Sequence, residues 1–126
     1  GAVVVQVPRA DMKRYSHLLA GASWMAEYGD PDTADWDFIK SFSPYHLFDK
    51  DTQYPPVLFT TSTKDDRVHP GHARKMMALM LENGKDVRYY ENIEGGHGGA
   101  ANNAQSAHMN ALAYTFLWQQ LSRTPR

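Results

Sequence analysis

Two short stretches hold the residues best suited to chemistry. TKDDRV, carrying Asp65, Asp66 and Arg67, follows the apolar run VLFTTS, and EGGHGG, with one histidine at position 97 among four glycines, follows the alternating run VRYYENI. Glycines allow close backbone approach to a reacting group, and an imidazole held at a cleft rim is suited to proton transfer. An acid after one strand and a histidine after the next match the acid and base of a Ser-His-Asp triad on an α/β-hydrolase sheet. The acid accepts a hydrogen bond from Nδ1–H and fixes the tautomer, leaving Nε2 to take the proton of a serine. Only one of Asp65 and Asp66 can be aimed at the imidazole. Read alone, DDRV is equally well a solvated loop with a surface ion pair, which is energetically small.

Elements must place these groups on one edge. Residues 2–7, AVVVQV, are nearly all apolar and β-branched, the pattern of a central strand buried on both faces of a parallel sheet. A second buried strand is predicted at 57–62 and a third at 87–93. Between them Pro70 opens a helix with Ala73, Met76, Met77, Met80 and Leu81 as its core stripe, and Gly84 closes it. A last helix is predicted over 103–121, with Ala107, Ala111, Tyr114, Trp118 and Leu121 on one face and its aromatics as packing residues. Residues 11–28 carry turn and helix signals. The stretch 29–56, rich in Asp, Pro, Ser and aromatics, reads as loop with one or two short helices. The order gives an α/β fold, a mostly parallel sheet flanked by helices, with functional groups at the carboxyl edge of its strands.

Composition narrows the chemistry. The chain has 126 residues, enough for one domain, with 42% hydrophobic and 12% aromatic content. Thirteen Lys and Arg oppose 14 Asp and Glu for a formal charge of −1, which gives no reason to expect nucleic acid or an anionic membrane as partner. There is no cysteine, so disulfides and thiolate chemistry are excluded, while the compartment stays open. No apolar run approaches the roughly 18 residues of a membrane span. His69 and His72 in HPGH share a spacing compatible with a metal but lack a third ligand of matching spacing, so they read as a helix start. His17, His46 and His108 read as polar or packing residues.

The nucleophile is missing. A hydrolase serine sits on a strand-to-helix elbow, G-x-S-x-G, that exposes Oγ and supplies an oxyanion donor. None of the seven serines, at 16, 23, 41, 43, 62, 106 and 122, has that context, and Ser23 in GASWM comes nearest without the second glycine or a preceding strand. Because the chain order on such sheets is Ser, Asp, His, the serine is expected before residue 1.

Taken in order, QVPRADMKRYSHLLAGASWMAEYGDPD, SPYH at 43–46, PPVLFTTSTKDDRVHPGHARKM and EGGHGG resemble the C-terminal part of the catalytic domain of the prolyl oligopeptidase family of serine peptidases. The resemblance covers almost the whole chain. It implies a partial α/β-hydrolase domain over residues 1–126, lacking the nucleophile elbow and the β-propeller, with no cofactor and with oligopeptides cut after proline as substrate. It selects Asp65 over Asp66 as the triad acid and His97 as the base. It implies that Arg67 binds a substrate carbonyl, that Trp24 stacks on the proline ring, and that Tyr28 and Val68 line the same pocket. Arg9 departs from the pattern, falling where prolyl-specific members place an apolar pocket residue. The chain is thus expected to be inactive alone. It is also expected to bind the missing N-terminal half of its domain, or to self-associate through residues 3–7, whose free edge and apolar side chains need a cover. Two rival readings are an esterase of the same fold and a non-catalytic oligomerisation fragment.

Overall fold

The computed structural model describes residues 1–123, so the end of the expected 1–126 domain lies outside the described residues. Three parallel strands, β1 (Val3–Gln6), β2 (Val57–Ser62) and β3 (Val87–Asn92), form a sheet in the order β1-β2-β3. All six residues of β2 are buried, as VLFTTS requires of a strand with neighbours on both edges and helices on its faces. The register sets Val57 opposite both Val3 and Val87.

Three four-residue helices lie in the irregular stretch between β1 and β2, α1 (Met25–Tyr28), α2 (Trp36–Ile39) and α3 (Pro44–Leu47), with 3-10 turns at Tyr15–His17, Leu19–Trp24 and Lys40–Phe42. The crossover between β2 and β3 is α4, which spans Gly71–Glu82, with Pro70 as its N-cap rather than its first residue. It ends in a Schellman closure: the Lys85 N–H donates to the Met80 carbonyl and that of Gly84 to Leu81, both at 3.0 Å, with Gly84 at φ 69°. The last helix, α5, spans Asn103–Leu121, as the sequence predicts, and its Asn102 cap accepts from the Gln105 N–H at 2.9 Å.

Two expectations about burial fail. In α5 the residues turned to the sheet are Met109, Ala113 and Phe116, whereas Tyr114 and Trp118 are 71% and 75% exposed and Ala107, Ala111 and Leu121 also face out. The helix carries apolar residues on more than one face, and weighting the large aromatics selects the wrong one. Leu81 likewise leaves the α4 stripe for solvent, while Ala73 and Met80 are buried. Among the described strands β1 pairs only with β2, and its Val3 and Gln6 are exposed.

The core has two centres. Val57, Phe59 and Met80 pack between sheet and α4, and Met12, Tyr15 and Ile39 hold the irregular stretch together, with Trp24 and Tyr28 leaning on them. No described helix is long and apolar enough to cross a membrane.

Candidate active site

β2 ends at Ser62, and the turn after it tucks the Asp65 side chain wholly out of solvent. A buried carboxylate needs donors. Its Oδ1 accepts the backbone N–H groups of Arg67 and Val68, each at 2.9 Å, which fixes the carboxylate plane before any partner arrives. His97 completes the shell, its Nδ1 lying 3.0 Å from Oδ2 and 3.2 Å from Oδ1. An ionised carboxylate only accepts, so this contact places the proton on Nδ1 and leaves Nε2 with the free lone pair. Asp66 is exposed and takes no part.

The loop that holds His97 is built from Asn92, the last residue of β3. The Asn92 amide donates to the Gly99 carbonyl at 2.9 Å and to Gln105 Oε1 at 2.8 Å, while its Oδ1 accepts the Glu94 N–H at 3.1 Å. Two glycines are obligatory. A Cβ on Gly95 would stand 2.7 Å from the Gly99 carbonyl oxygen, and Gly99 itself has φ +83°. The His97 side chain is 36% exposed. With Gln6, Val7, Thr60 and Met109 it bounds a cavity of about 150 Å³ at the carboxyl end of β1. Val7 there has φ 43°, a strained conformation for a β-branched residue and one found where backbone is shaped for function.

The residues expected to line a substrate pocket fall into two groups. Arg67 is exposed and Val68 is buried, and both are tied to Asp65 through their backbones. Trp24 and Tyr28 are in the other group, where both lean on the Tyr15 core and Tyr28 meets Tyr15 edge-on at 5.9 Å. Arg9 joins them: its guanidinium carbon sits 3.7 Å from the Trp24 ring centre and 5.2 Å from that of Tyr28. Sequence reading marks Arg9 as a departure but gives no sign of this stacking, because the irregular residues between Arg9 and Trp24 have no period.

The other histidines have local roles. The His72 Nδ1 accepts the Asp11 N–H at 3.0 Å inside the protein, and burial pulls its pKa down to about 4. His69 accepts the Gly71 N–H at 2.8 Å, His46 meets Ser43 Oγ at 2.7 Å, His17 contacts the Asp32 carboxylate, and His108 lies against Tyr90. No group of three or more His, Cys, Asp or Glu converges to hold a metal among the described residues. Two structural residues escape sequence reading. Asp11 is 2% exposed, pairs with Lys75 and accepts the N–H groups of Lys13 and Arg14, and Asn92 anchors the histidine loop. An Asp opening a turn and an Asn ending a strand before a glycine run were the signals available.

Comparison with known proteins shows the family. The prolyl oligopeptidase family profile matches residues 1–124. The chain is 52% identical over 121 residues to an uncharacterized peptidase of Sinorhizobium fredii, covering 95% of this chain and 17% of that protein. It is 37% identical over 118 residues to an uncharacterized peptidase of Rickettsia prowazekii, covering 92% of this chain and 16% of that one. Among solved structures, a post-proline cleaving enzyme from Rickettsia typhi superposes with a TM-score of 0.89 at 38% identity, over 96% of this chain and 18% of its own. The chain therefore spans only about a sixth of the length of the curated relatives it matches. With a parallel sheet, flanking helices and a family match along nearly its whole length, this chain is an α/β-hydrolase-type member of the prolyl oligopeptidase family of peptidases.

Proposed function

We propose that these residues are the C-terminal half of a serine peptidase catalytic domain and supply two members of its triad, with Asp65 orienting and His97 acting as base. The observation that carries the reading is the contact of His97 Nδ1 with a carboxylate that is fully buried and already held by two backbone donors. The reaction is acyl transfer from an oligopeptide. A serine from the preceding half attacks the scissile carbonyl and gives its proton to His97 Nε2. The imidazolium then protonates the leaving amine, and a water activated by the same nitrogen hydrolyses the acyl-enzyme. Arg67, exposed beside the acid, is suited to hold a substrate carbonyl. Trp24 and Tyr28, with Val68 behind Asp65, form the walls of the acyl-side pocket. Stacking a proline ring on Trp24 requires Arg9 to leave the indole face it covers.

The docking of the serine-bearing half is supported by an apolar groove of about 400 Å³ over the β1–β2 face on the α4 side, lined by Val3, Val5, Arg9, Phe48, Phe59 and Met76 among others. The test is reconstitution. The 126-residue chain alone should show no peptidase activity above its His97→Ala variant, and should run as a dimer or larger species in light scattering as the groove and edge find a cover. Adding the serine-bearing half should restore hydrolysis of oligopeptides. Activity that survives His97→Ala refutes the catalytic assignment, and a monomer at all micromolar concentrations refutes the association.

A further inference from the structure

Arg9 is a cation without a counter-charge among the described residues. Its guanidinium lies over Trp24 at 3.7 Å, a face contact that offsets part of the loss of water around it. No described carboxylate pairs with it. The nearest acid in sequence, Asp11, is occupied by Lys75 and by the backbone of Lys13 and Arg14. The Arg9 Nε is buried and has no acceptor among the described residues. A buried donor without a partner is costly and rare; the other guanidinium N–H groups of Arg9 are not buried in this way and can receive a planar anion.

Geometry selects the kind of anion. A guanidinium whose face is taken by an indole keeps its N–H donors in its own plane, where a carboxylate can accept two of them side by side. The same stacking removes the apolar surface on which a neutral ring would rest. Resting on the oligopeptidase reading, we propose that Arg9 is the specificity residue of the acyl-side pocket and that it directs cleavage to peptides with an aspartate or glutamate, rather than a proline, before the scissile bond. The acid side chain supplies the acceptor that Arg9 lacks while the guanidinium stays on the Trp24 face. His72, held neutral by burial within range of Arg9, adds no competing charge near pH 7.

The test uses the complete enzyme and fluorogenic peptides identical except for the residue before the scissile bond: Asp, Glu, Asn, Gln or Pro. Asp and Asn have nearly the same shape, so their ratio isolates charge. At low ionic strength, kcat/KM for Asp should exceed that for Asn at least tenfold, and the ratio should shrink as salt is raised. Arg9→Met, which keeps the stem and removes the charge, should bring the ratio near one and raise proline turnover at least fivefold. If that variant does not fold, the ratio and its salt dependence in the unaltered enzyme decide the matter. His97-dependent cleavage after proline, with Asp no better than Asn, would overturn the role of Arg9 and leave the oligopeptidase reading standing. No His97-dependent cleavage of any peptide would overturn both.

Discussion

Asp65→Asn separates positioning from folding. In the native site Oδ1 is held by the Arg67 and Val68 N–H groups at 2.9 Å, and Oδ2 faces His97 Nδ1 at 3.0 Å. An asparagine there must keep its carbonyl oxygen where the two backbone donors are, since its NH₂ cannot accept from them. The NH₂ group therefore lands opposite His97, and the imidazole must turn Nδ1 into an acceptor and carry its proton on Nε2. That is the wrong tautomer for a base, and a swap of this kind in a serine-protease triad lowers kcat about 10⁴-fold. Stability should fall by no more than about 1.5–3 kcal/mol, the scale of a lost hydrogen bond to a charged group, because both backbone bonds persist. Asp65→Ala should behave differently. It strips the buried Val68 N–H of its acceptor at about 1–3 kcal/mol, and the part-buried Arg67 N–H as well, so it should lose more stability than the asparagine variant at similar residual activity. Steady-state kinetics of the complete enzyme and urea melts of each variant give both quantities. Retention of more than a tenth of kcat by Asp65→Asn would refute the orienting role.

Asn92→Ala should loosen the histidine loop by removing its bonds to Gly99 and Gln105, costing about 1–3 kcal/mol in melts and lowering kcat with little change in KM. Trp24→Ala should cost about 2 kcal/mol, below the range for truncating a fully buried tryptophan, yet reduce kcat/KM at least tenfold; a larger stability loss with unchanged activity would make it a core residue only. The acid limb of stability should have two parts. His72 has its pKa lowered to about 4 by burial, so the unfolded chain binds the extra proton first and stability declines as pH falls from 6.5 towards 4. Glu91 is held down at about 2, chiefly by the Arg74 hydrogen bond, so its contribution is complete above 4.5 and is lost as pH falls from there to 2. His72→Gln should flatten the upper part and Glu91→Gln the lower, as read by melts across the pH range.

Legibility in the sequence tracks how local the determining physics is. The strand at 57–62 is legible to the residue because an unbroken apolar and β-branched run bounded by Pro56 and a polar turn has one comfortable environment, and α5 because Asn102 caps a long run free of breakers. The meeting of Asp65 and His97 is legible from topology, since consecutive parallel strands deliver their outgoing loops to one edge. The outward face of Tyr114, Trp118 and Leu121 is not legible, because side-chain size does not say which of two apolar stripes meets the sheet. Nor is the Arg9–Trp24 stack, formed within a stretch whose 3-10 turns and four-residue helices impose no period.

The register of the sheet has a kinetic consequence. β2 and β3 are joined through α4 alone, whereas β1 meets β2 only after the chain has closed the whole excursion of residues 7–56. Longer loops cost more entropy to close, so the β2–α4–β3 unit has the easier nucleus and β1 joins later. The two halves of the proposed site fall on opposite sides of that division: Asp65 lies within the early unit and His97 in the loop directly after it, whereas Arg9, Trp24 and Tyr28 lie in the late excursion. Backbone amides of β2 and β3 should accordingly gain hydrogen-exchange protection before those around Trp24 during refolding. On the proposed assignment, changes in the stretch that holds Arg9 and Trp24 then act after Asp65 and His97 have met, which leaves its sequence freer to drift towards new peptides without dismantling the chemistry.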